Sequence, residues 1–289
     1  MNSLREVLAE ADRRGVAVGH FNVSDSAALK AIVASGAALG VPVLIGVSEG
    51  ERDFIGVREI AALVRAIRDE SRHPVFLNAD HTHSLARAEE AAHAGFDQII
   101  FDASAQPFDV NVAQTKRAVE AIRSINPSIV IEGEIGYIGT SSEILSEAPE
   151  GMGTLTTPAE AKAFVDATGV DVLAPAVGNM HGLLASMVRG ETQKRLDIER
   201  IRAIKEATGS FMTLHGGSGT SDADFAGAIK AGMTVVHVNT EVRIAWRRGI
   251  ERALAQQPNE VAPYKLLPAA VDAVREAVSA RLRLFNSQA

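Results

Sequence analysis

Short apolar runs alternate with longer segments of helical period along the whole chain. The runs are rich in Val, Ile and Phe and predict strands near Val16–Phe21, Val43–Val47, Val75–Leu77, Gln98–Phe101, Ile129–Ile131, Val170–Ala174, Met212–Leu214 and Thr234–Val238. Between them lie segments such as SAALKAIVASGAALG, VREIAALVRAIRDE and IERIRAIKEATG, with apolar positions three and four apart. Several end in Gly, which best tolerates the left-handed conformation after a helix. Thr157-Pro158 followed by Glu160 is a helix start with a cap and a Pro in its first turn.

Eight strands each followed by a helix, without a Pro/Ser-rich linker, predict an α/β fold of the (β/α)8 TIM-barrel type as one domain over residues 1–289. A doubly wound open sheet fits less well, because no Gly-rich dinucleotide loop follows the first strand. Two intervals exceed the usual loop length. EIGYIGTSSEILSEAPEGMGTL follows the fifth strand and GLLASMVRGETQKRLD the sixth.

Composition narrows the function. The net charge is -7 and there is no long Lys/Arg run, which argues against nucleic acid and anionic membranes as partners. There is no cysteine, so disulfides are excluded and any metal must be held by His and carboxylates. The opening MNSLREVLAEADRRG is amphipathic and lacks the apolar core of a signal peptide, and the apolar runs are strand-sized. A cytoplasmic location is the expectation.

In a barrel of this kind, chemistry gathers at the C-terminal ends of the strands. VFLNADHTHSL ends its apolar run at Asp80-His81-Thr82-His83. Glu134 closes strand five in IVIEGEIG, His181 follows strand six in AVGNMHG, and His215 closes strand seven in MTLHGGSG. Three imidazoles and a carboxylate from distant strands thus meet at one rim, a set able to hold a divalent ion with one coordination position open. Zinc is the natural choice, and N/O ligation also accepts cobalt, manganese or iron. Asp80, next to a ligand histidine, is placed to exchange a proton with a substrate hydroxyl; its plainer role is to orient an imidazole.

The other histidines read more quietly. His73 and His93 are packing or surface residues, His20 lies in the barrel interior, His83 supports the rim, and His237 is inside strand eight. HGGSGTSD sets Gly216, Gly217, Ser218 and Gly219 between a strand and a helix start, an anion cradle. Asn239 and Thr240 join it from the neighbouring strand end, where this barrel usually holds phosphate.

With these motifs in view, the chain resembles the class II, metal-dependent aldolases of the fructose-bisphosphate and tagatose-bisphosphate type. The likeness runs from GHFNVSD through PVLIGVSEG, NADHTHS, FDASAQPFDVNVAQT, EGEIG, AVGNMHG, LHGGSG and VNTEV to RLRLFNS. It implies a lyase that reversibly cleaves a phosphorylated ketose to dihydroxyacetone phosphate and an aldehyde, without a lysine Schiff base. By the same resemblance, His81, His181 and His215 are zinc ligands, Glu134 is an alternate ligand or metal-relay position, and Asp80 is the general acid in condensation and the base in cleavage. Gly182, Gly216, Ser218, Asn239 and Thr240 bind the dihydroxyacetone phosphate, Ser48 touches substrate, and Asp102 supports the metal. A monovalent cation near the phosphate and a homodimer or homotetramer are also implied.

Three positions depart from that pattern. The acidic run expected after Glu134 reads Gly139-Thr140-Ser141-Ser142-Glu143, which leaves Glu143, shifted by one place, or another residue of the loop to remove the carbon-bound proton. His237 stands where the resemblance expects an asparagine, and Ala185 or its neighbour where it expects a lysine. These changes admit another phosphorylated keto sugar or keto acid as substrate. Arg243, Arg281 and Arg283 could meet a second anionic group, although solvation at the surface is the simpler reading. A noncatalytic aldolase-like partner subunit and a metal-dependent hydrolase are the competing functions.

Overall fold

The computed structural model describes residues 2–136, 138–139, 144–145 and 154–287. Eight parallel strands close into a barrel: β1 Val18–Asn22, β2 Val43–Val47, β3 Val75–Thr82, β4 Gln98–Phe101, β5 Val130–Ile135, β6 Val172–Pro175, β7 Phe211–Leu214 and β8 Val235–His237. They pair in the order β1-β8-β7-β6-β5-β4-β3-β2, so each strand lies beside its sequence neighbours. Helices cover the outside, and among the described residues none is long and apolar enough to cross a membrane.

Alternation along each strand sorts two cores. Outward residues such as Val43, Ile45 and Val47 of β2, or Ile99 and Phe101 of β4, join the helices in one large apolar layer. The first inward residues, Val18, Leu44, Phe76, Val130, Val172 and Val235, form a separate apolar floor. The N-terminal helix Leu4–Arg14 seals that floor with Leu4, Val7, Leu8 and Ala11. Ser3 and Glu6 form its capping box, and Gly15 ends it in the left-handed conformation.

Two strands run farther than their apolar runs predict. β3 continues to Thr82 and β5 to Ile135, beyond the expected ends at Leu77 and Ile131. Glu132 of β5 faces the barrel interior and finds partners there. Gln98 Nε2 donates to Glu132 Oε2 at 2.7 Å, and Thr213 Oγ1 donates to the same oxygen at 2.8 Å. Polarity therefore marks the inward face of these strands rather than their end. Helices Glu49–Ile55, Thr240–Gln256 and Pro263–Phe285 add to those predicted, and Thr157 caps Pro158–Thr168 as expected.

Above the apolar floor, His20 of β1 and His237 of β8 stack with ring centroids 3.5 Å apart and planes 6° from parallel. Burial pushes His20 down to about 4, so it stays neutral at physiological pH. Gly46 of β2 leaves room for this pair: a Cβ there would overlap His20 and lie 2.5 Å from Asn22 Oδ1. Neither side chain can move aside, because both are buried. Gly46→Ala is therefore expected to destabilise the protein by about 1–3 kcal/mol. Thermal or denaturant unfolding checks this, and unchanged stability would show that the barrel interior is loosely packed.

Candidate active site

Adjacent strand residues normally face opposite sides, yet Asp80 and His81 both reach the same cavity. The ladder explains how. Ala79 pairs with Ile99 and Thr82 with Phe101, so three steps on β3 oppose two on β4. This is a β-bulge, which re-aims the side chains beside it. His81 takes φ +40°, a left-handed backbone that non-glycine residues adopt only where the surroundings enforce it.

His81, His181 and His215 meet at the top of the barrel, with donor nitrogens within 4.8 Å of one another. His81 lies 4.8 Å, centroid to centroid, from each of the other two rings, at 72° and 79°. The hydrogen bonds fix which nitrogens face inward. His81 Nδ1 is 2.8 Å from Asp102 Oδ2, and His215 Nε2 is 2.7 Å from Glu132 Oε1. Each outer nitrogen is then a donor to a carboxylate, so once a ring is neutral its lone pair lies on the inner nitrogen. Those inner nitrogens, His81 Nε2 and His215 Nδ1, face each other at 3.2 Å. His181 Nε2 is buried and has no partner among the described residues. Imidazoles backed by carboxylates, with bare nitrogens aimed at one point, are the arrangement of a divalent-metal site.

The electrostatics favour a cation at the same place. Burial works against the His81 imidazolium, but Asp80, Asp102 and Glu134 together hold it up at about 10. Glu134 Oε2 is buried without a partner, 3.5 Å from His81 Nδ1 and 3.7 Å from His215 Nδ1. Burial and the neighbouring Asp102 push its carboxyl up to about 7. Asp80 is also buried, which opposes ionisation. His81, His20 and His215, with a hydrogen bond from Asn22, nonetheless hold its carboxyl well below the usual range.

Asp80 has one oxygen anchored and one free. Asn22 Nδ2 donates to Oδ2 at 2.8 Å, while Oδ1 has no partner and lies 3.9 Å from His81 Nε2. Asn22 is itself held, donating to Glu51 at 2.7 Å through its side chain and to Asn239 Oδ1 at 3.0 Å through its backbone. Asn22, Asp80, His81, His181, Asn239 and Arg243 line one open cavity. A larger apolar groove at the other end of the barrel, beside Val7, Val41 and Pro74, offers no imidazole and no converging carboxylates.

The remaining expected residues divide. Ser48 lines the cavity, but its hydroxyl caps helix Glu49–Ile55 and bonds Glu51. Asp102 supports His81 as expected, and His83 Nδ1 lies 3.1 Å from the Asp102 carbonyl oxygen. In the glycine loop, Gly217 donates to His237 O and Gly219 to Glu241 Oε1, so the cradle is narrower than its sequence suggests. The amides of Ser218 and Thr240 have no partner among the described residues. Gly182 and Gly216 both have positive φ, and a Cβ on Gly216 would overlap the Met180 carbonyl.

Glu143 lies outside the described residues. Arg281 is not simply solvated: it bonds Glu241 and Asp222 and covers Phe225. Arg243 pairs with Glu51 at 2.7 Å, and Arg283 is exposed. Three residues escaped the sequence reading. Glu132 shares the inward face of β5 with Glu134, a two-residue spacing visible in IEGEI. Asn22 stands in a motif already noted, HFN. Lys194, in the long loop after β6, had no local signal at all.

Comparison with known proteins accords with this geometry. The family model described as fructose-bisphosphate aldolase class-II matches residues 2–289. The chain is 34% identical over 288 residues to the probable fructose-bisphosphate aldolase of Bacillus subtilis (strain 168), covering 99% of this chain and 97% of that relative. It is 33% identical over 288 residues to the fructose-bisphosphate aldolase of Geobacillus stearothermophilus, covering 99% and 96%. Among solved structures, it superposes on the YdjI aldolase of Escherichia coli K12 with a TM-score of 0.83 and 26% identity, covering 99% and 97%. With its fold and the match along nearly its whole length in agreement, the chain belongs to the class II fructose-bisphosphate aldolase family of lyases.

Proposed function

We propose that this chain reversibly cleaves a phosphorylated ketose to dihydroxyacetone phosphate and an aldehyde, with His81, His181 and His215 holding a divalent ion. The observation that supports this best is the convergence of three inner imidazole nitrogens beside the free oxygen of a buried aspartate. Zinc suits three nitrogen ligands with an open position. When bound, the ion supplies Lewis-acid polarisation of the substrate carbonyl.

The chain's own groups perform the proton work. Asp80 is ionised, so its free Oδ1 accepts the proton of the substrate hydroxyl next to the bond that breaks. As that proton leaves, the hydroxyl carbon becomes the aldehyde carbonyl, and the electron pair of the breaking bond passes toward the ketone. In the condensation direction Asp80 returns the proton to the new alkoxide. Asn22 keeps Oδ2 occupied, which leaves Oδ1 as the oxygen able to take the proton. The Ser218 and Thr240 amides, at adjacent strand ends, receive the phosphate and fix the ketose in register. Glu143 is proposed as the group that exchanges the carbon-bound proton of dihydroxyacetone phosphate.

Asp80→Asn is expected to lower kcat by about 10²–10⁴-fold while metal content stays at the wild-type level. Steady-state cleavage of a panel of ketose phosphates, with metal analysis on the same samples, checks this; unchanged turnover would remove Asp80 from the chemistry.

Metal affinity should follow protons in a defined direction. In the metal-free protein His81 holds its proton up to about 10 and Glu134 up to about 7. Metal binding must displace those protons, so affinity is expected to rise with pH. Against burial, His215 is likewise held above its ordinary value by Glu132 and Glu134, so the rise is expected to be about tenfold per unit for each proton that binding displaces. Chelator competition across the pH range measures it, and a flat profile would contradict the ligand assignment.

A further inference from the structure

Lys194 is 3% exposed, yet no carboxylate pairs with it among the described residues. Its Nζ instead donates to three backbone carbonyls: Met180 at 2.7 Å, Gly182 at 2.8 Å and Gly216 at 2.8 Å. Met180 and Gly182 flank His181, and Gly216 follows His215. One ammonium therefore ties together the two loops that carry two of the three inward imidazoles.

Three carbonyl oxygens aimed at one point repel one another unless a positive charge lies between them. Converging carbonyls of this kind replace the hydration shell of a potassium-sized cation. The backbones come this close because Gly216 has no Cβ to hold the Met180 carbonyl away. Burial pushes the ammonium down to about 7, with Glu241 acting in the other direction. The carbonyl triad favours the charged form, since a neutral amine has two hydrogens and would turn its lone pair on the third oxygen.

The tether is itself secured. The Lys194 backbone N–H donates to Gly219 O at 3.0 Å, and Lys194 bridges to Thr220 in parallel fashion. The long loop after β6 thus returns beside the glycine loop and brings its charge to the carbonyl triad. Nothing in the aldol chemistry described above uses this group.

We propose that Lys194 is a built-in monovalent cation, a positioning residue that holds the His181 and His215 loops in register and makes the enzyme independent of free potassium, sodium or ammonium. The effect on turnover rests on the reading of those histidines as metal ligands; the binding of a cation in place of the side chain does not. Lys194→Ala opens the carbonyl triad to solvent ions, whereas Lys194→Met fills the space without charge.

The test compares wild type and both variants at constant ionic strength in tetramethylammonium, lithium, sodium, potassium and ammonium chlorides. Two readouts are followed: thermal unfolding of the metal-free protein, and kcat/KM for ketose phosphate cleavage. Wild type should respond equally to all five salts. Lys194→Ala should lose activity by about 10–100-fold in tetramethylammonium. Potassium or ammonium should restore it and raise the melting temperature, while Lys194→Met should stay impaired in every salt. The unfolding readout needs no catalysis, so a cation-specific shift in Lys194→Ala supports the proposal even if the substrate assignment fails. Lys194→Ala that folds only in potassium or ammonium supports it equally. The proposal is overturned if Lys194→Ala shows no cation preference in stability, if it fails to fold in any salt, or if Lys194→Met matches wild type.

Discussion

Negative charge buried at the top of the barrel is the constraint on which the rest of this structure depends. Asp80, Asp102, Glu132 and Glu134 are all buried within a few side chains of one another. Carboxylates out of water are tolerable only where hydrogen bonds and positive charge answer them. Asp102 and Glu132 each engage the outer nitrogen of an imidazole, which sets the tautomer so that each ring, once neutral, presents its lone pair inward. What the carboxylates lack in positive charge, a metal ion would supply. The same surplus keeps a proton on His81 and lifts Glu134 toward neutrality in its absence.

The barrel provides this site by departing from its usual filling. Branched apolar residues normally occupy all layers of such an interior. Here they occupy only the floor at the N-terminal ends of the strands, sealed by the N-terminal helix. Above it come the stacked His20 and His237 and the Gln98–Glu132–Thr213 bonds, and then Asp80 with the three imidazoles. The polar middle layer supports the reactive one: Glu132 both receives Gln98 and Thr213 and orients His215. His237 belongs to this layer, where its ring stacks between those of His20 and His215.

Two cationic side chains sit at the margins in different ways. Arg243 is held by Glu51 at the cavity wall, and Glu51 also holds Asn22, which in turn anchors Asp80. An anionic group drawn to Arg243 would therefore pull on the same chain of hydrogen bonds that aims the proton-transfer acid. Arg281 belongs to the scaffold, since its contacts are with Glu241, Asp222 and the Phe225 ring.

The sequence by itself determined the barrel, because eight apolar runs separated by helical periods admit few other closed arrangements. It also determined which strand ends carry His81, Glu134, His181 and His215, since those positions follow from counting along each run. Only the tertiary structure decided that Asp80 and His81 share a cavity, because strict alternation would part them and the extra residue of β3 does not show in composition. It likewise decided that Glu132 orients His215, and that Ser48 is occupied as a helix cap. Lys194 was hidden for the plainest reason: its partners are backbone carbonyls, and a carbonyl has no letter in the sequence.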